Sequence, residues 1–390
     1  MTSPGGITGI RLIAFVAVQV IFLAGMLGLT AQAVQRQQAE RQPPQFRTEP
    51  LKVIPLYNRP DIVSDADLVA VLDKLQPRFR GQAPHVNHLD HALRFWGVNA
   101  KFSDPQSLSG FEMRDILLDH RQFTQLSGKK TPAFLILTPK GVGVRLQEGE
   151  ASASHVDHTL AGLAEVGTPL DYPVQTAQGE ATVQAILEQS LADFSLNQLE
   201  YEWSALAYAL YIPQPRWMTR EGQQISYDLL ADRIMRQGYV QGVCLGHHRL
   251  HALVMLLRID EQTPILSDAT RTRIHQHLRA ATDLLVKNQK PEGNWDRDWA
   301  GTAAAADGEG SPTLVARTIL ATGHPLEWWA LAPADVLPPP ETLQKAAAWL
   351  VKTTRAMTQR EVNLNYTFLS HAGRALALWR GKFPADVTLP

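Results

Sequence analysis

The sequence predicts a mainly α-helical chain: an N-terminal transmembrane helix, a small, mostly helical mixed domain with one β-hairpin, and a C-terminal α/α toroid of about four helical hairpins. Three observations carry this. A long apolar run, broken only by Gln19, lies near the N-terminus. Helical apolar periods dominate from Asp65 onward. After residue 176 the helices come in pairs, and the second member of each pair is the more apolar. Composition agrees: of 390 residues, 45% are hydrophobic and 19% charged, which suits a large core and excludes a disordered chain. Lys plus Arg number 37 against 38 Asp plus Glu, a net charge of −1, so no nucleic-acid partner held through its phosphates is expected. The single cysteine, Cys244, excludes an internal disulfide framework and any site with several thiolates.

The first element is Leu12–Leu29, LIAFVAVQVIFLAGMLGL, interrupted only by Gln19. At ~1.5 Å per residue it reaches ~27 Å, close to a ~30 Å hydrocarbon core. Residues 1–33 are therefore assigned to a membrane segment, with the lipid bilayer as partner of residues 12–29. A signal anchor is favoured because the run exceeds the ~7–15 apolar residues of a cleavable signal peptide. The alternative is a cleaved, secreted form, since Ala31-Gln32-Ala33 has the A-x-A pattern of a cleavage site. Arg36, Arg41 and Arg47 after the span lean toward a cytoplasmic body. A short tail ahead of a signal-like segment favours export, and a single-pass protein with a periplasmic or otherwise extracytoplasmic body is expected. Residues 34–60, rich in glutamine and holding Pro43-Pro44, read as a polar tether.

Residues 61–175 form the mixed domain. Ala66, Leu68, Val69, Val71, Leu72 and Leu75 share one helical face, and further helices are expected over Val86–Trp96, Phe111–Leu126 and Ser154–Glu165. Between them, the run Ala133–Leu137, the Pro139-Lys140-Gly141 turn and the alternation of Val142, Val144 and Leu146 give one hairpin.

Residues 176–390 give four pairs: Thr182–Asp193 with Leu196–Leu210, Tyr227–Gln237 with Cys244–Leu257, Ser267–Asn288 with Ser311–Leu320 extending toward Trp329, and Thr342–Met357 with Tyr366–Trp379. Ser195, Ser226 and Ser267 stand where N-caps belong, Pro312 suits a first helical turn, and Pro338-Pro339-Pro340 separates two pairs. Second members such as Leu250–Leu257 and Ala372–Trp379 are apolar on most faces, which places them inside a ring of amphipathic first members.

Within this region Arg279–Trp295 reads RAATDLLVKNQKPEGNW, with Leu285, Gln289, Gly293 and Trp295 in a fixed spacing. It resembles the QW motif of the terpene cyclase and protein prenyltransferase toroid superfamily. The resemblance implies a fold in which glutamine satisfies free carbonyls at a helix end, glycine takes a left-handed turn and tryptophan packs across helix ends. It implies no activity. Squalene-type cyclases carry Asp-x-Asp-Asp, whereas this chain has Asp296-Arg297-Asp298. No Asp–Cys–His zinc set of the prenyltransferase kind can be assigned, and lanthionine-type cyclases need a second cysteine.

The densest polar segment is Gly242-Val243-Cys244-Leu245-Gly246-His247-His248-Arg249-Leu250-His251, at the expected start of an inner helix. On such a helix Cys244 and His248 share a face, and so do His247 and His251. Cys244 and His248 are the candidate metal ligands, with zinc the cofactor considered. A helix start also favours the Cys244 thiolate. Glu202, His247, His248, His324, Glu327 and His371 lie near one end of the inner helices and are the candidate catalytic residues of an acid/base pocket. Trp203, Trp328 and Trp329 offer surfaces for a flat ligand such as a sugar. His85, His88 and His91, and His155 and His158, recur every third residue; that spacing drifts ~60° per step around a helix, so they read as solvated faces.

Two functions follow. The first is a membrane-anchored binding or scaffolding module of the cell envelope, with an envelope ligand or protein partner. The alternative is an exported toroidal enzyme acting on an envelope carbohydrate or lipid-linked substrate by acid/base or zinc-assisted chemistry centred on Cys244–His251. No P-loop, GxGxxG after a strand, GxSxG or HExxH is present.

Overall fold

The computed structural model describes residues 6–40, 42–82, 84–146, 149, 151–198, 200–301 and 314–390. The expected helix start at Ser311 and the first-turn role of Pro312 fall outside these residues. The described chain is mainly helical, with fifteen α-helices and three two-stranded antiparallel hairpins. Two compact units are present, one comprising Met1–Pro44 with Arg216–Ile225, the other Gln45–Pro215 with Ser226–Pro390.

In the first unit, α1 runs Gly6–Glu40. Its segment Ile13–Gln32 has a mean hydropathy of 2.3 and no buried residue, so it is long and apolar enough to cross a membrane or serve as a signal sequence. Helix continues through the expected start of the tether at residue 34, because Gln, Arg, Ala and Glu are good helix formers and no proline intervenes before Pro43. Residue Met218 donates its backbone N–H to Gln42 at 3.0 Å.

The second unit holds the other helices: α2 Asp65–Lys74, α3 Val86–Trp96, α4 Gly110–Leu118, α5 His120–Ser127, α6 His158–Glu165, α7 Val183–Asp193, α8 Glu202–Tyr211, α9 Tyr227–Arg236, α10 His247–Asp260, α11 Asp268–Asn288, α12 Leu314–Trp329, α13 Pro340–Ala356, α14 Gln359–Leu364 and α15 Tyr366–Leu378. Residues 45–60 lie along this unit rather than away from it; Arg47 and Leu51 donate to Tyr211 and Leu210 at 2.9 and 3.0 Å, and Arg59 to Trp379 at 2.7 Å.

Burial sorts the helices into two kinds. Every residue of α8 and α10 is buried, as are Leu369–Leu378 of α15, His158–Ala164 of α6 and Leu89–Trp96 of α3. Helices α2, α9, α11 and α13 bury one stripe each, for example Ile274, Leu278, Ala281 and Leu285 of α11. The fully buried kind and α12, buried from Thr318 to Trp329, pack in sequence: α3 on α6, α6 on α8, α8 on α10, α10 on α12, α12 on α15, and α15 back on α3. The striped helices lie against them, α9 on α8 and α10, α11 on α10, α13 on α12, and α2 on α13 and α15. Two members of this cycle, α3 and α6, come from residues 61–175, which share one compact unit with residues 176–215 and 226–390.

Local signals explain most boundaries. Ser226 and Ser267 accept from Leu229 and Thr270 as N-caps, and Pro340 opens α13. Ser195 instead closes a turn onto the Asn197 N–H at 3.2 Å, and α8 starts seven residues later at Glu202. Hairpin β1–β2, Leu135–Thr138 with Gly141–Val144, stands where the alternation places it. Where one hairpin is expected there are three. The other two, β3–β4 (Pro173–Gln175 with Glu180–Thr182) and β5–β6 (Arg216–Met218 with Gln224–Ser226), have strands of three residues, too short to display a period.

The Gln289–Trp295 turn ties α11 to α13. Gln289 Nε2 donates to the Gly293 and Thr342 carbonyls at 2.8 and 2.9 Å, and Trp295 Nε1 to Leu285 at 2.7 Å. Gly293 has φ +100°, and a Cβ there would meet the Lys345 carbonyl oxygen at 2.5 Å, so only glycine fits.

Candidate metal centre

The approach to α10 is strained. Cys244 and Leu245 occupy left-handed conformations, φ 49° and 55°, within a 3-10 turn, Val243–Gly246, that precedes the helix. Such residues cost about 1–3 kcal/mol each and persist where the surroundings impose them. Arg249 donates to Gln237 and Gly238 at 2.9 and 2.8 Å, and Trp299 Nε1 donates to the Leu245 carbonyl at 3.1 Å, fixing the turn. Gly246, at φ +78°, leaves only 1.8 Å between a hypothetical Cβ and the Tyr239 carbonyl oxygen. Gly246→Ala is expected to lower the unfolding free energy by about 1–3 kcal/mol in chemical denaturation.

Cys244 therefore does not share a helical face with His248, because the helix begins at His247. The turn brings the two together by another route. The ligand atoms of His155, Cys244 and His248 all lie within 4.8 Å of one another, and so do those of His248, His324 and His371. The four central side chains are almost fully enclosed: His248 is 2% exposed, His324 3%, His371 2% and Glu327 2%.

Outer partners fix the ring protons. The Leu320 carbonyl can only accept, so His324 Nδ1 donates to it at 2.9 Å and Nε2 carries the lone pair. His371 Nδ1 donates to Glu327 Oε2 at 2.6 Å, again freeing Nε2, which is buried with no hydrogen-bond partner among the described residues. His158 donates to Asp90 at 2.8 Å, and His91 to the Asn87 carbonyl at 2.8 Å. His248 Nε2 faces His324 Nε2 at 3.2 Å, while His248 Nδ1 is buried and has no partner among the described residues.

Beneath the imidazoles two arginines and two glutamates interlock. Arg94 reaches Glu165 at 2.5 Å and Glu327 at 2.9 Å; Arg374 reaches Glu165 at 2.8 Å and Glu327 at 2.5 Å. Burial alone would raise both carboxyls, but Arg94 and its neighbours hold Glu165 and Glu327 well below the usual range, so both are ionised. Burial dominates for the histidines and lowers His91, His248 and His324 well below 6.5, with His371 lowered to about 4 and His247 to about 3. Neutral imidazole is the form that ligates a metal.

Outside the cluster, His88 beside Phe79 and His277 beside Tyr239 are also lowered to about 4, chiefly by burial. A depressed folded value means that the unfolded chain binds the proton first. Their contribution is thus intact above the unfolded value near 6.5 and is lost as pH falls toward 4. Each adds a slope of up to about 1.4 kcal/mol per pH unit in that window. The melting temperature is expected to drop between pH 6.5 and 4, and by less in a His88→Phe chain.

The expected residues are distributed as follows. His248, His324, Glu327 and His371 converge. His247 stacks on Trp299 at 4.7 Å and lies beside His324, with ring centroids 5.9 Å apart. His251 does not pair with His247; its Nε2 accepts from Arg94 at 3.0 Å. Glu202 caps its own helix start, accepting from the Tyr201 N–H at 3.0 Å, and burial raises its pKa. Glu327 pairs with Arg94 and Arg374. Trp203 borders the centre, its ring 4.8 Å from His248 and 4.9 Å from the Arg94 guanidinium. Trp328 and Trp329 are fully buried in packing, not available at a rim. Asp298 pairs with Lys290 at the surface.

His91, His155 and His158, read from sequence as solvated, are buried at the centre; His91 stacks on His158 at 4.2 Å and His155 meets His248 at 5.1 Å. The three come from two helices and a turn, and none of them lies on an exposed helix face. His155 precedes α6, and Asp157, at φ 57°, turns the chain between it and His158. No family model, curated protein or solved structure matches this chain.

Proposed function

We propose that the chain is a membrane-anchored, extracytoplasmic α/α toroid of the terpene cyclase and prenyltransferase type. Its polar centre holds a zinc-class divalent ion on His248, His324 and His371, and the ion serves metal-assisted chemistry on an envelope substrate. The cycle of buried helices from α3 to α15, the striped helices against it, and the brace made by Gln289 and Trp295 support the toroid. The long, exposed apolar segment Ile13–Gln32 of α1 supports the anchor.

One observation carries the metal. Three imidazoles bring ligand atoms within 4.8 Å of one another, and outer acceptors hold two of them with Nε2 unprotonated. The 3.2 Å between His248 Nε2 and His324 Nε2 is close to the ~3.3 Å edge of a tetrahedron with ~2.0 Å metal–nitrogen bonds. Three imidazoles suit zinc, copper, iron or nickel and not magnesium or calcium. An ion with three protein nitrogens supplies Lewis acidity at its remaining position. Glu327 and the Leu320 carbonyl hold the ligand tautomers, and Asp90 holds His158 with Nε2 as a buried proton acceptor.

The binding or scaffolding reading has its own support in the buried, mutually paired Arg94–Glu165–Arg374–Glu327 lattice, which is a structural core feature in its own right. Metal analysis of the full-length chain purified in detergent separates the two. At least one equivalent of a zinc-class ion is expected, removed by chelator with a fall in melting temperature. A metal-free chain whose melting ignores chelator would leave the scaffold.

A further inference from the structure

We propose that the centre has a second metal station, formed by His155, Cys244 and the remaining ring nitrogen of His248, so that His248 bridges two ions. The proposal rests on the reading of His248, His324 and His371 as the first station.

The two sets of ligands share a single residue, His248, and that residue has two ring nitrogens in different situations. Nε2 is turned to His324. Nδ1 is fully enclosed and meets no hydrogen-bond partner among the described residues. A buried ring nitrogen without a partner asks for an explanation, and a bound ion is one that the neighbouring donors fit. His155 and Cys244 complete a group whose ligand atoms lie within 4.8 Å of one another. His155 is held from outside as a ligand would be, with Nδ1 3.3 Å from Glu200 Oε2.

The backbone supports the same assignment. Among the described residues, the non-glycine residues with positive φ are Asp157, Cys244 and Leu245. They lie in the two turns that deliver His155 and Cys244. Asp157 is fastened by the Ser190 and Ser204 hydroxyls, and the Cys244 turn by Arg249 and Trp299. Strain confined to two turns, each presenting one member of the same ligand group, fits the placement of side chains for binding.

The second station has one thiolate and two imidazoles, a donor set that takes Zn²⁺, Co²⁺ or copper and rejects Mg²⁺ and Ca²⁺. When both stations fill, Cys244 loses its thiol proton and the neutral His248 its one ring proton, and two protons pass to solvent. The two dications offset the resulting thiolate and imidazolate.

Cobalt titration of the full-length, metal-stripped chain in detergent tests this. Two equivalents are expected, with an intense near-ultraviolet thiolate-to-cobalt charge-transfer band. In Cys244→Ser, uptake should fall to one equivalent and the band should vanish. In the His324→Ala/His371→Ala double variant, one equivalent should remain with the band. Because the band is read first in the unaltered chain, a variant that fails to fold does not remove the test. One equivalent without the band, unchanged in Cys244→Ser, overturns the second station and leaves the first. One equivalent with the band, lost in Cys244→Ser, overturns the two-ion centre and the three-histidine reading together, and so does no uptake.

Discussion

Glu327→Ala is expected to lower the unfolding free energy by about 3–5 kcal/mol, the range for removing one partner from a buried ion pair. Glu327 accepts from Arg94, Arg374 and His371 at once, at 2.9, 2.5 and 2.6 Å. The lattice is neutral with two guanidinium groups and two carboxylates. Without Glu327 it retains one uncompensated buried charge, and both arginines lose an acceptor. Denaturant unfolding in detergent reads this directly. Glu327→Gln keeps the volume and one carbonyl acceptor, so it should cost less stability. Its metal affinity should still fall by about 10–100-fold, as when an outer partner of a ligating histidine is replaced. A loss of metal affinity in Glu327→Gln out of proportion to its loss of stability marks Glu327 as a positioning residue.

The second large effect belongs to His371. His371→Ala removes one of three nitrogens from the first station and is expected to weaken zinc-class binding by more than about 100-fold, beyond the range for a lost outer partner. Its effect on the metal-free fold should be smaller than that of Glu327→Ala, because His371 Nε2 has no hydrogen bond to lose among the described residues. Competition against a chromophoric chelator measures the affinity, and chemical denaturation of the metal-free chain measures the fold. Equal affinity in His371→Ala and the unaltered chain would remove His371 from the ligand set.

Much of the architecture was legible because it is written in local periods. The run Leu12–Leu29 is apolar on all faces, and α1 carries Ile13–Leu29 exposed. The later pairs reflect the contrast between striped and uniformly apolar segments, which burial of one face or of all faces produces. The Gln289, Gly293 and Trp295 contacts follow from local chemistry at one helix end. The cycle of helices was less legible. Its members α3 and α6 are separated from α15 by 200 residues or more in sequence, and no period reveals which helices meet.

The site was legible in the same uneven way. Cys244 and His248 stand close in sequence and are brought together, though by a left-handed turn that no helical reading anticipates. His324, Glu327 and His371 were noticed as polar groups on apolar segments. Arg94, Glu165 and Asp90 were missed because a charged residue on a helix is ordinarily solvated; only the packing of α3, α6, α12 and α15 makes them partners. The histidines at 91, 155 and 158 were misread for a related reason. Their three-residue spacing excludes a shared ion on one helix, but it does not exclude ligands drawn from several elements.

X-ray absorption at the metal edge of the full-length Cys244→Ser chain loaded with zinc, in which the three-histidine station alone is left, tests the central claim most directly. Scattering from at least three imidazole nitrogens at about 2.0–2.1 Å is expected, and the imidazole signal should diminish in His371→Ala. A chain that retains no zinc, or zinc surrounded by oxygen alone with a spectrum indifferent to His371, would contradict the account.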